Sequence, residues 1–270
     1  MFAVGITTFN RNLRGSGKNY FFDTWQSLLM GGLFSSGIVK DIYISVGHGP
    51  DNFTETVKRT ITGARIDLAD HPLNVVANTH KVFEWFLTTN NQFLIFFQDD
   101  VLVCPNTFQE IDRWINKKKI ALYTIAAPFN DFEGFTTDTW NYPYRKFYML
   151  AAVILPKQLV QGYLNSRHKT AIELRRKCVD LAVKNYCQEA QIPILAHCPN
   201  IATHVGENSC HGNIHPPGSR GTCNLKQSAL RGPNEFRKPK SLWGGVSIGS
   251  PQMGFRGTRV RSQKTRVNRG

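Results

Sequence analysis

No stretch of this sequence is apolar for long enough to cross a bilayer. The longest runs, Gln92 to Phe97 and Tyr148 to Pro156, are strand-sized and fall well short of the roughly 20 residues that a membrane-spanning helix needs. No transmembrane helix is therefore expected. Met1 leads straight into Phe2-Ala3-Val4-Gly5-Ile6 without the basic region, hydrophobic segment and small-residue cleavage site of a secretory leader, which predicts a cytoplasmic site of action. Cysteine is sparse: six residues, Cys104, Cys178, Cys187, Cys198, Cys210 and Cys223, are scattered through 270. A chain of this size builds a core without staples, so reduced thiols are expected in place of a disulfide framework. Internal repeats are lacking as well.

Acids are short in number, and the shortage is local. The chain has 19 Asp and Glu against 33 Lys and Arg, a formal net charge of +14 at pH 7. From Pro217 onward, twelve Lys and Arg meet a single acid, Glu235, a balance of +11 that leaves +3 for everything before it. The same region is rich in Gly, Pro, Ser and Arg and has little periodicity, which reads as an extended basic tail. The expected organisation is a catalytic-sized domain over residues 1–210 and a basic extension over 211–270.

The body of the chain alternates short apolar runs with longer amphipathic ones. Strands are expected at Phe2 to Ile6, Asp41 to Val46, Arg65 to Leu68, Phe93 to Phe97, Ala121 to Ala126, Tyr148 to Leu155 and Ile194 to Ala196. Helices are expected at Phe21 to Phe34, Asn74 to Leu87, Asn106 to Ile115, Gln158 to Asn165 and Thr170 to Gln191. That rhythm predicts an α/β fold with a mostly parallel, Rossmann-like sheet flanked by helices.

Such a sheet binds ligands at the carboxyl ends of its strands, and the residues there are polar. The first strand ends in Thr7-Thr8-Phe9-Asn10-Arg11, the second in Ser45-Val46-Gly47-His48-Gly49-Pro50-Asp51, and the Phe93–Phe97 strand in Gln98-Asp99-Asp100. Two adjacent acids after five apolar residues are costly to bury unless positive charge meets them. A hard divalent cation carrying diphosphate oxygens is an obvious partner, and a turn cap is the plainer alternative.

Taken together, these segments resemble the nucleotide-sugar-binding half of GT-A glycosyltransferases, in which an apolar strand is followed by Thr-x-Asn-Arg and a later one by a DxD-type acid cluster. The resemblance covers roughly Met1 to Ser209. It implies a nucleotide-sugar donor, a UDP-sugar foremost, and a Mn²⁺ or Mg²⁺ ion. It places Thr7, Thr8, Asn10, Arg11 and Asp51 around the base and ribose, Asp99 at the ribose or donor sugar, and Asp100 on the metal. The first acid of the usual triplet is here Gln98. The stretch Ala196 to Ser209 is similar to a Pro-Ser-x-x-x-His-x-Gly-x-x-Ser closure of the same families, which makes His204 a second metal ligand. Asp180 falls where related enzymes carry the general base of an inverting displacement, with Asp131 and Glu133 in reserve. Asn78, His80 and Lys81 precede the acid-bearing strand, where these enzymes contact the nucleobase or diphosphate.

Three further features stay open at this level. The group Trp140, Tyr142, Tyr144, Phe147 and Tyr148 suits either a stacking surface or a core anchor. Cys198, His204, Cys210, His211, His215 and Cys223 crowd together, but only His211 and His215 have the spacing of a structural zinc site. For the acceptor, a basic tail that follows a phosphate backbone favours DNA carrying a hydroxymethylated base. A cell-surface glycan or glycolipid is the alternative, and a non-catalytic nucleic-acid-binding protein with a transferase-like fold is the third.

Overall fold

The computed structural model describes residues 1–9, 19–47, 51–69, 73–127, 138–175 and 178–205, all within the unit Met1–Gly232. The basic extension 211–270 lies outside the described residues, as do Asn10 and Arg11, the reserve acids Asp131 and Glu133, and every member of the Cys/His crowd except Cys198 and His204.

The first half is built from parallel strands: β1 (Phe2–Thr8), β2 (Val39–Val46), β3 (Arg65–Leu68) and β4 (Phe93–Gln98). Helices α1 (Phe21–Met30), α2 (Asp51–Thr60) and α3 (Val75–Thr88) connect them. After β4 come β5 (Val101–Val103), α4 (Thr107–Trp114), β6 (Leu122–Thr124), β7 (Thr139–Asn141), β8 (Ala152–Pro156) and three helices, α5 (Lys157–Leu164), α6 (Arg167–Arg175) and α7 (Val179–Glu189). Strands β9 (Ile194–His197) and β10 (Ala202–His204) complete the described chain. Eight strands form one sheet in the order β3-β2-β1-β4-β8-β6-β9-β7, and β10 pairs with β5 in a separate two-stranded ribbon. Within the large sheet β8 and β7 run antiparallel to their neighbours and the other pairs are parallel.

The central strands are apolar along most of their length because both faces are covered, turning polar only at their carboxyl ends. Phe2, Val4, Ile6, Phe93, Ile95 and Phe97 face one core with Phe21, Trp25, Leu28 and Phe108. Ala3, Leu94 and Phe96 face the other with Val82, Phe83, Phe86 and Tyr163. The helix on the second face comes very close: a Cβ on Gly5 would stand 2.3 Å from Cγ1 of Val82, so the bare glycine lets α3 settle on β1.

Several expected elements differ in extent. The first helix stops at Met30, not Phe34, because Gly31-Gly32 follow and Gly32 takes φ +94°, a conformation that costs glycine nothing. The single helix expected over Thr170 to Gln191 is two, α6 and α7, with Cys178 as the N-cap of the second. Asp51, expected in a loop against the donor, opens α2. Among the described residues no helix is long and apolar enough to cross a membrane.

Adding a methyl group at the tightest contact tests this packing. Gly5→Ala should destabilise the fold by about 1–3 kcal/mol through overpacking, read as a lower urea midpoint with an unchanged slope. An unchanged midpoint would contradict the close seating of α3.

Candidate functional site

The acid pair sits at the carboxyl edge of the sheet, and three separate pieces of chain hold it there. The first is β1. Thr8 donates its hydroxyl to Oδ2 of Asp99 at 2.9 Å, and the backbone N–H of Phe9 donates to the same oxygen at 3.1 Å. Asp99 is 2% exposed and Thr8 fully buried, so these charge-assisted bonds form where water does not compete.

The second piece is α1. Thr24 donates to the carbonyl of Asp99 at 2.8 Å and accepts from the N–H of Val101 at 3.2 Å, bridging the two ends of the acid turn. One helical turn on, Ser27 accepts from the N–H of Val103 at 3.2 Å and donates to the carbonyl of Thr24 at 2.8 Å. Two helix hydroxyls thus stand in for a strand partner along β5. Neither residue was singled out in the sequence, although hydroxyls three apart on the apolar face of a helix are a usable signal.

The third piece is β10. It runs antiparallel to β5 with His204 opposite Val101, and the N–H of Val205 donates to the carbonyl of Asp100 at 2.8 Å. Nε2 of His204 then lies 3.0 Å from Oδ2 of Asp100. The approach of β10 is fixed by Asn200, whose side chain accepts from Ala127 N–H at 2.9 Å and donates to Ala127 C=O at 2.7 Å, all buried. Leaving those two backbone groups unpaired would cost about 1–3 kcal/mol each.

Asp180 joins from a different direction, in the first turn of α7. It is near enough to His204 to feel its charge and to the backbone amide of Leu150 to be held by it. Burial pushes its carboxyl up to about 6, against the opposing pull of the Cys178 thiol, the Leu150 amide and His204. The thiol donates to Oδ2 at 3.3 Å. Burial raises that thiol to about 11, so it keeps its proton at neutral pH. Oδ1 of Asp180 is closed to water and has no hydrogen-bond partner among the described residues.

The structure therefore brings Thr8, Asp99, Asp100, His204 and Asp180 to one place. It does not bring the others. Thr7 is buried on the opposite face of β1, with Ala3 and Gly5. Asn78, expected to touch the donor, is fully buried, and its amide is taken by protein: it accepts from Ser45 Oγ at 2.6 Å and donates towards the carbonyls of Ser45 and Thr8 at 3.3 and 3.4 Å. It ties the ends of β1 and β2 together. His80 is likewise internal, between Glu173 at 3.1 Å and Tyr163 at 3.0 Å, and Lys81 pairs with Asp67 at 3.2 Å. Asn10 and Arg11 lie outside the described residues, as does the side chain of Asp51. Of the aromatic group, Tyr142 and Phe147 belong to the core, whereas Tyr148, two residues before Leu150, is 43% exposed.

Asp100 and His204 have the donor chemistry for a cation. The carboxylate oxygen and the imidazole nitrogen stand 3.0 Å apart, and both are ligand types that Mg²⁺ and Mn²⁺ accept. Among the described residues no group of three or more His, Cys, Asp and Glu is arranged to hold a metal. The protein would thus supply two ligands and leave the remaining positions to phosphate oxygens and water, as Mg²⁺ and Mn²⁺ sites at phosphates do.

No protein-family model matches the chain, and no curated protein matches it in sequence. Solved structures do resemble it. S. aureus TarS 1-349 in complex with UDP-GlcNAc aligns with a TM-score of 0.52 at 11% identity, covering 74% of this chain and 57% of that one. The same fragment with UDP aligns at 0.50 and 12%, covering 74% and 59%. A nucleotidyl transferase from Methanothermobacter thermautotroptrophicus aligns at 0.50 and 10%, covering 74% and 88%. The chain spans less than two thirds of the TarS fragment. Likeness at these identities is one of fold: the mostly parallel, Rossmann-like α/β sheet expected from the strand and helix rhythm, in the GT-A form that the motif resemblance implied.

The raised carboxyl of Asp180 makes a prediction about stability. With a folded value of about 6 against an ordinary 3.8, the carboxylate destabilises the fold fully above pH 6 and not at all below about pH 3.8. Asp180→Asn should therefore be more stable than the parent by about 1–3 kcal/mol at pH 8. The advantage should fade as pH falls through 6 towards 4, in thermal unfolding at several pH values. An asparagine variant less stable at pH 8 would show that the carboxylate serves the fold.

Proposed function

We propose that this chain is a metal-dependent glycosyltransferase that moves a sugar from a nucleotide-sugar donor, a UDP-sugar foremost, to a hydroxyl group. What carries this reading is the convergence of Asp99, the Asp100–His204 pair and Asp180 at the carboxyl edge of a GT-A sheet. The TarS fragment of like fold was solved with UDP-GlcNAc and with UDP, which supports the choice of donor.

Each group has a role. Asp99, held by Thr8 and the Phe9 amide, is assigned to the hydroxyls of the ribose or donor sugar. Asp100 and His204 would hold Mn²⁺ or Mg²⁺, which when bound neutralises charge on the departing diphosphate. Asp180 is the general base of an inverting displacement. The acceptor oxygen forms a bond to the anomeric carbon, the bond from that carbon to the phosphate oxygen breaks with its electron pair leaving on the diphosphate, and the acceptor proton passes to Asp180. A carboxyl near 6 is mostly ionised at neutral pH yet more basic than an exposed aspartate, which suits proton abstraction. The Cys178 thiol donates to one oxygen; the other is shut from water and would have to open to meet the acceptor hydroxyl.

For the acceptor we favour DNA bearing a hydroxymethylated base, on the strength of the +14 net charge, most of it beyond Pro217. Polyanion attraction of that kind is independent of base sequence.

The test is a donor screen on the full chain with Mn²⁺, recording nucleoside diphosphate released from a panel of nucleotide sugars with and without hydroxymethylated DNA. Release is expected to need metal, to fall at least about 100-fold in Asp180→Ala, to be lost in Asp100→Ala, and to rise with the modified DNA. Metal-dependent release indifferent to DNA would retain the transferase and move the acceptor to a glycan or lipid. Pyrophosphate release from nucleoside triphosphates and a sugar phosphate, with no turnover of nucleotide sugars, would overturn the reading in favour of nucleotidyl transfer.

A further inference from the structure

A second charged feature lies at the opposite, amino-terminal edge of the parallel strands. A cleft of about 430 Å³ opens between the turn into β4, the loop before β6 and the step from β8 into α5. Its eleven lining residues include Lys117, Lys118, Lys119 and Lys157 and no acid; the side-chain amide of Asn91, also in the lining, is taken by Asp41 behind it. Two of the lysines have partners. Lys117 pairs with Asp112 at 2.7 Å and lies over the ring of Phe2, and Lys157 donates to the carbonyl of Thr89 and lies over Phe86. The side chains of Lys118 and Lys119 are exposed and have no ion-pair or hydrogen-bond partner among the described residues.

The loop that presents them is built from below. Tyr123 is 1% exposed; its hydroxyl donates to the carbonyl of Asn116 at 3.0 Å and lies 3.4 Å from that of Lys119. The N–H of Lys119 donates to the Asn116 carbonyl and that of Lys118 to Asn116 Oδ1, each at 3.0 Å. Carbonyls that would repel an anion are thus turned to a buried phenol, and the ammonium groups are left outward.

The ammonium groups of Lys118 and Lys119, with the engaged Lys117 and Lys157 beside them, are point charges on flexible stems, suited to phosphates in series more than to one planar carboxylate. A concave site favours a polymer strand over a flat membrane surface. The cleft cannot belong to the donor site, since the six residues of β4 separate the two edges by about 20 Å. We propose that this cleft binds the phosphodiester backbone of a nucleic acid, apart from the transferase centre. Its use as a second grip on an acceptor strand rests on the function proposed above; the binding itself does not.

The experiment measures fluorescence anisotropy of a labelled oligonucleotide with the full chain, over a salt series, with neither donor nor metal. Lys118→Gln with Lys119→Gln should weaken binding and lower the slope of log affinity against log salt by about 1 to 2, one phosphate contact per lysine. Lys58→Gln with Lys184→Gln, which removes the same charge outside the cleft, should leave the slope within error. Equal effects of the two pairs, or none from the cleft pair, would overturn the proposal. So would a cleft pair that loses only inorganic phosphate or phosphatidylglycerol vesicles and keeps the oligonucleotide. Because the assay lacks donor and metal, its failure leaves the transferase reading standing, and absent turnover would leave the cleft standing.

Discussion

A carboxylate buried at the end of a strand costs several kcal/mol unless opposite charge or hydrogen-bond donors meet it. At Asp100 that constraint is met across the β5–β10 ribbon, where His204 lies 3.0 Å from the carboxylate. Much of the second half of the described chain serves this meeting. The Asn200 amide fixes the strand's approach from Ala127, and Thr107 reaches the carbonyl of Ile201 from the start of α4. On the other side α1 contributes Thr24 and Ser27, which satisfy the backbone of β5. A site held from three directions keeps its geometry without a ligand, as the proposed transfer chemistry would require of preorganised groups.

Asp180 shows the opposite economy. Where Asp99 is bound on an oxygen by a hydroxyl and an amide, Asp180 draws on a weak thiol donor and the Leu150 amide. Its carboxyl is raised by burial while its neighbours oppose the rise. Two acids of the same type are thus set apart by environment, one held by two donors and one with its carboxyl raised by burial. The sheet separates charge on a larger scale too: acids gather at the carboxyl edge and lysines line the cleft at the amino edge.

The sequence made the central sheet legible because its strands are buried on both faces. Phe93 to Phe97 is apolar at every position and admits no other reading next to Gln98-Asp99-Asp100. The β5–β10 ribbon was not legible: Val101–Val103 and Ala202–His204 are three residues each, too short for a period, and only their pairing gives them meaning. Asp100, His204 and Asp180 were found through motif resemblance, and their proximity needed the fold. Asn78 was misplaced for a physical reason. A polar residue on a helix beside the carboxyl edge looks like a ligand contact, yet this one lies on the buried face, where its side-chain partners among the described residues are the carbonyls of Thr8 and Ser45 and the hydroxyl of Ser45. Thr24 and Ser27, three apart on the apolar face of α1, mark a helix face that serves a strand, but their spacing does not say which one.

The most direct measurement of the central claim is titration calorimetry of UDP into the full chain, with and without Mn²⁺, for the parent and for His204→Ala. If Asp100 and His204 form a cation-mediated diphosphate site, binding should require Mn²⁺ and weaken at least about tenfold in the variant. Binding of equal strength without metal, or unaltered by the loss of His204, would contradict the account.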